Sequence, residues 1–159
     1  MPELLNHRCC IAYRDPARGI LRFTRTEQPY ASLDEVREVH DHVGRVFDRA
    51  GRERHTLLVD MRRAPLNTHP EFESAAGRGR RVVVRGFGRV AVLVQSALGA
   101  LQVKRHLRED DIPGEVFTDE GLAVQFLCRA EQDPAPPTSG VAPAADGPFK
   151  HLSRLAGRK

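Results

Sequence analysis

Apolar residues recur along this chain with two periods, and the changes of period divide it into elements. Two short runs, "CCIAY" at 9–13 and "ILRFT" at 20–24, read as strands. The linker "RDPARG" between them holds Asp-Pro and a glycine, turn chemistry that predicts a hairpin. From Leu33 the period lengthens: Leu33, Val36, His40, Val43, Phe47 and Ala50 recur at spacings of three and four, one apolar stripe of a helix. Ser32 and Glu35 have the spacing of a capping box ahead of it, and Gly51 ends it. Glu38–His42 and Asp41–Arg45 occupy its solvated face. "HTLLVDM" at 55–61 is apolar on both faces, as a buried parallel strand requires.

A second capping box, Thr68 with Glu71, predicts a helix starting near His69 with Pro70 in its first turn. Phe72, Ala75, Ala76, Gly79, Val82 and Val83 fall on one broad face, and Glu71, Ser74, Arg78, Arg81 and Arg85 on the other. Because that arc never breaks, residues 82–85 are expected to be helical. The alternative is a hairpin from Val82–Val84 to Val90–Val94, favoured by the branched side chains. "VAVLV" at 90–94 is the most strand-like run. Ser96 then caps a helix over "ALGALQVKRHLRED", "EVF" at 115–117 is a last strand, and Thr118-Asp119 opens a helix through "GLAVQFLCRA". The order is ββαβαβαβα. It predicts one α/β domain over residues 1–131, a mixed central sheet of about five strands with helices packed around it. Residues 132–159 are Pro-, Ala- and Gly-rich with a short basic end, and are expected to be a flexible tail.

Charge changes the picture less than its sum suggests. Of the net +4, the four cations and two acids from Asp133 onward supply half, so the predicted domain is nearly balanced. Nucleic-acid binding, which leans on phosphate neutralisation, is therefore not expected. The longest uncharged stretch, Val90–Val103, contains Gln95, Ser96 and Gln102 and falls short of the roughly 20 apolar residues of a membrane span. No export signal is read in "MPELLNHRCC", and three cysteines do not make a disulfide framework. A cytoplasmic protein is the expectation.

Few residues carry a chemical motif. Gly86-Phe87-Gly88-Arg89-Val90-Ala91 fits G-x-G-x-x-A, but the residues after Gly88 read as a strand rather than a helix N-terminus. The glycines are expected to turn the chain between a helix and a strand. His40 and His42 fall on nearly opposite faces of their helix, and His40 is expected to be a hydrogen-bonded core histidine. No metal-ligand spacing, nucleophile motif or cofactor motif is found, so no catalytic residue, metal or cofactor is assigned and the protein is expected not to be an enzyme. Asp60, at the end of a buried strand, has no second group beside it in sequence.

With "LLVDMRRAPLNTHPEFE", "RVAVLVQSALGALQVKRHL" and "GEVFTDEGLAVQFL" in this order, residues 6–130 resemble the STAS/SEC14-type (SpoIIAA-like) small bacterial domains. The resemblance implies a mixed sheet with surrounding helices and reversible binding of a protein partner, a regulator or a kinase. It places the regulatory position at the junction after the strand 55–61, near Asn67, Thr68 and His69, and the docking surface on the outer face of the following helix. In the antagonists that junction carries a phosphorylated serine. Here Thr68 is its one hydroxyl, and helix capping is a competing account of it. Arg62, Arg63 and His69 are candidates for an anion or a partner carboxylate, and Arg78, Arg81 and Arg85 for the docking face. SEC14-type relatives imply the alternative, a small lipophilic molecule bound inside the fold.

Overall fold

Strand pairing follows the order of the chain. In the computed structural model, which describes residues 1–129, six strands hydrogen-bond in the sequence β1 to β6. The strands β1 (Glu3–His7), β2 (Cys10–Asp15) and β3 (Ile20–Arg25) make an antiparallel meander. From β3 onward the sheet is parallel, through β4 (Thr56–Asp60), β5 (Val90–Leu93) and β6 (Glu115–Phe117). The helices α1 (Leu33–Ala50), α2 (Pro70–Val84) and α3 (Ala97–Glu109) each connect one parallel strand to the next, and α4 (Glu120–Cys128) follows β6. Since every crossover steps one strand in the same direction, crossovers of one hand stack α1, α2 and α3 on a single face.

That face holds the main core. Val43 and Phe47 of α1, Val83 of α2 and Leu107 of α3 pack on Leu21, Phe23, Leu57, Val59, Val90 and Val92 of the sheet. Each such side chain contributes about 2 kcal/mol when fully removed from water. On the opposite face α4 is the one helix among the described residues that covers the sheet, with Ala123 and Leu127 against Ile20, Leu58, Ala91 and Leu93.

The architecture is the expected α/β one with one strand more than anticipated. β1 lies at the edge and turns into β2 through Arg8 and Cys9, a two-residue connection with none of the Gly or Asn chemistry that marks a hairpin. The His7 side chain replaces it, its Nδ1 accepting the Cys9 N–H at 3.2 Å. The second hairpin has the foreseen chemistry: Asp15 Oδ1 accepts from the Ala17 and Arg18 N–H groups, and Gly19 turns at φ 66°.

Two helix starts depart from their predicted caps in instructive ways. Ser32 Oγ caps α1 by accepting the Glu35 N–H at 3.1 Å, but the Glu35 carboxylate reaches the Ala31 N–H rather than that of Ser32. The Thr68–Glu71 box does not form. His69 is the N-cap of α2, without a side-chain cap bond, and Pro70 is the first helical residue. The reason is Pro70, whose ring drives the preceding residue into extended conformation; His69 sits at ψ 127° and cannot be a helical position.

The valine triplet is helical, as the unbroken arc predicted, and Arg52 supplies the missing stabilisation. Arg52 is 4% exposed. Its Nη1 donates to the carbonyls of Val82, Val83 and Arg85 at 2.8–3.3 Å, and Nη2 to that of Gly44 at 2.6 Å. It thereby satisfies the orphan carbonyls at the end of α2 and ties them to α1. The two helices also approach closely through glycine: a Cβ on Gly79 would stand 2.5 Å from the His40 ring, and one on Gly44 2.8 Å from Val82. Gly86, at φ 78°, turns the chain from α2 toward β5. The G-x-G-x-x-A stretch thus leads into a strand, and no helix N-terminus stands behind its glycines. Residues 132–159, expected to be a tail, lie outside the described residues. No helix among the described residues is long and apolar enough to cross a membrane.

Candidate ligand cavity and docking face

The residues singled out in the sequence do not converge on one site. Arg62 is drawn into a four-residue ion cluster at the carboxyl end of β4. Its Nε and Nη2 donate to the Asp60 carboxylate at 3.0 and 2.7 Å, and Nη2 also reaches Glu120 at 2.9 Å. Arg22 of β3 closes the ring, donating to Asp60 and to Glu120 at 2.6 Å each. Burial pushes the Asp60 carboxyl up, but the hydrogen bonds from Arg62 and Arg22 outweigh it and hold it below the usual carboxylate range. The bond from Arg22 does the same for Glu120. Two cations and two anions are matched, and through Glu120 the cluster links α4 to the sheet.

Arg63 makes an exposed pair with Glu27 at 2.7 Å. Asn67, Thr68 and His69 are all exposed, with Asn67 Oδ1 accepting the His69 N–H at 3.0 Å and the His69 ring edge-on to Phe72. Along α2, Arg81 pairs with Asp110 at 3.1 Å and Arg85 with Asp48 at 3.1 Å. Arg78 is exposed and makes no ion pair among the described residues. At 1.5 Å per residue, Arg85 lies about 24 Å along the helix from His69, so junction and stripe are two regions of one surface rather than one pocket. Leu66, in the same exposed loop as Thr68, is 87% exposed.

A site that the motif search did not find lies under the three helices. Between α1, α2, α3 and the sheet is a cavity of about 120 Å³. Its walls are mostly apolar, with Phe23, Val59 and Val92 from the sheet and Val83, Leu107 and Ile112 above them. Five polar side chains also border it: Arg25, Tyr30, His40, Arg80 and His106. On the α2–α3 side they form a seam, in which Arg80 and Arg81 both hold Asp110 and His106 Nε2 lies 3.4 Å from Glu73.

On the α1 side the polar groups are less complete. His40 is buried, and its Nδ1 stands 2.6 Å from the Val36 carbonyl, so that nitrogen carries the hydrogen. Burial pushes the imidazole down against this bond, which keeps it neutral near pH 7. This is the core histidine the stripe predicted. The Tyr30 hydroxyl is buried and makes no hydrogen bond among the described residues, and burial pushes the phenol up, so it keeps its proton. Arg25 stacks on the Tyr30 ring at 4.1 Å. A signal for Arg25 was present in the sequence. It continues the inward phase of β3 after Leu21 and Phe23, where a charged residue breaks the period-two pattern. Tyr30 carried none, because it stands in the irregular segment before α1.

One further cluster, His7, Cys9 and Glu35, brings together atom types that ligate metals. Each of the three also makes a local contact within the fold. His7 Nδ1 accepts from Cys9 N, Glu35 accepts from Arg8 at 2.5 Å and from Ala31 N, and the Cys9 thiol, raised by burial, points at the Pro29 carbonyl. Compared with protein-family models, curated proteins and solved structures, the chain matches none.

Proposed function

We propose that the protein is a non-enzymatic binding module of STAS/SEC14-like type that holds a small lipophilic molecule in the cavity beneath α1, α2 and α3. The observation that carries this reading is an apolar cavity of about 120 Å³ bordered by a buried tyrosine hydroxyl with no partner among the described residues. Ligand sites have this composition, apolar walls with a few orienting polar groups. A cavity of about 150 Å³ with such walls holds benzene, which sets the scale of the occupant. The sheet order, with three crossover helices on one face, is compatible with the family resemblance. Asp60, the acid at the carboxyl end of the parallel strands, is committed to Arg22 and Arg62, which supports a binding rather than a catalytic role. Titration of the labelled full chain with benzene, followed by amide chemical shifts, tests the cavity. Shifts centred on Val59, Val83, Val92 and Leu107 are the expected result, and an unmoved spectrum at saturating benzene would sink the reading.

A second reading, a protein-docking surface on the loop 61–69 and the outer face of α2, is favoured by exposed Leu66 and by Arg78, which pairs with no acid among the described residues. Its partner would be a regulator or kinase-like protein bearing an acidic, partly apolar patch, with Thr68 as the modifiable position. The variant Leu66→Ser with Arg78→Glu disturbs none of the ion pairs described above. It should lose a partner that wild type retains in a pull-down, and equal retention would remove this surface from consideration.

A further inference from the structure

The cavity contains a positive charge that no carboxylate among the described residues balances. Arg25 is 8% exposed. Its Nε donates to the Cys9 carbonyl at 2.9 Å and Nη2 to the Gln28 carbonyl at 3.3 Å, both neutral acceptors, while Nη1 makes no hydrogen bond among the described residues. An arginine keeps its charge, and burying one without an anion costs several kcal/mol by order of magnitude, so such groups are ordinarily paired. Half-buried Arg22 faces Asp60 and Glu120, and buried Arg52 faces Asp48 at 2.7 Å. Arg80, on the opposite wall of the same cavity, is held by Asp110 at 2.7 Å. Among the described residues Arg25 is the exception, and it stacks on the tyrosine whose hydroxyl has no partner among them either.

We propose that the ligand is a small monocarboxylate with an apolar body, its carboxylate taken by Arg25 and the Tyr30 hydroxyl and its body lying against Phe23, Val59, Val83 and Leu107. The inference rests on the reading of the cavity as a ligand site and adds the chemistry of the occupant. Three features select this class. The field in the cavity is that of one unbalanced cation, because His40 is neutral and Arg80 is paired; a monoanion neutralises it, whereas a phosphate dianion would leave a second buried charge. The unused donors are a guanidinium N–H and a phenol O–H, which match the two oxygens of one carboxylate. The space sets the size at about six or seven non-hydrogen atoms, since a slightly larger cavity of about 150 Å³ holds benzene.

Calorimetric titration of the full chain with butyrate and 3-methylbutanoate, beside 3-methylbutan-1-ol and inorganic phosphate, tests this. At least one acid should bind, and 3-methylbutanoate should exceed the alcohol by about tenfold or more, the size of one charge-assisted hydrogen bond. Phosphate should not compete. In Arg25→Met the acid should lose its advantage while the alcohol keeps its affinity. Should Arg25→Met fail to fold, Tyr30→Phe removes only the hydroxyl and should weaken the acid several-fold but not the alcohol. Equal binding of acid and alcohol, competition by phosphate, or an acid preference that survives both substitutions would overturn the proposal. If benzene and the alcohol bind but no acid does, the carboxylate is wrong and the cavity reading stands; if nothing binds, both fall.

Discussion

Arg22 and Arg25 are three residues apart on β3 and on opposite sides of the sheet, and they show two ways of burying a guanidinium. Beneath α4, Arg22 meets two carboxylates and joins a matched ring with Arg62, Asp60 and Glu120. Beneath α1, Arg25 meets two carbonyls and an aromatic face. The first arrangement is complete within the chain, and removing any member leaves a charge stranded. The second is complete only if something else brings a negative charge. The difference separates a fastening from a receptor group more sharply than burial or residue type does, since both side chains are arginines set into a sheet face.

The largest expected effect comes from breaking the complete side. Arg22→Ala leaves Asp60, 4% exposed, with one cation instead of two, and should lower the unfolding free energy in urea by about 3 kcal/mol. A loss below about 1 kcal/mol would mean that Arg62 alone suffices. Next comes Gly79→Ala, whose Cβ would stand 2.5 Å from the His40 ring and force it toward the cavity. Overpacking of this kind should cost about 2 kcal/mol and weaken benzene uptake; unchanged uptake would separate His40 from the site.

Acid sharpens the contrast further. Asp60 and Glu120 have lowered pKa values in the folded protein, so their stabilisation is present above the unfolded carboxyl values near 4 and is lost as pH falls through the folded ones. Wild type should lose stability over that window in urea titrations, and Arg22→Ala should lose less. An identical acid slope in both proteins would place the acid sensitivity elsewhere. The smallest effect is expected for Arg25→Met. Relief of the buried charge is opposed by the loss of the donors to the Cys9 and Gln28 carbonyls, and the two together should shift stability by no more than about 1 kcal/mol in either direction. A loss as large as that of Arg22→Ala would make Arg25 a structural residue.

Much of the fold was legible because its elements carry local signals. The apolar stripe of α1, the cap at Ser32, the left-handed Gly51 and the apolar runs of β4 and β5 each state their conformation in a few residues. β1 was not legible, since its turn is made by a histidine side chain instead of a glycine. The start of α2 near His69 was legible but its cap was not, since Thr68 and Glu71 have capping-box spacing and the proline between them forbids the geometry. The site was less legible than the fold. Arg62 looked available next to His69 in sequence, yet Glu120, 58 residues away, takes it up. The cavity residues come from β3, β4, β5, the segment before α1 and three helices, so no spacing along the chain could bring them together. Only the inward phase of Arg25 marked the place.

The way the helices are held also bears on time. α1 and α2 are clasped by Gly44, Gly79 and the bracket of Arg52, whereas α3 meets α2 across side-chain ion pairs. A molecule entering between α2 and α3 has to part Glu73 from His106 and Asp110 from its two arginines. Dissolved salt screens the most exposed of these contacts, Arg81 with Asp110, more than the partly buried ones. Ionic strength would then govern how fast the cavity fills and empties, and leave how tightly it holds its contents to the groups deeper inside.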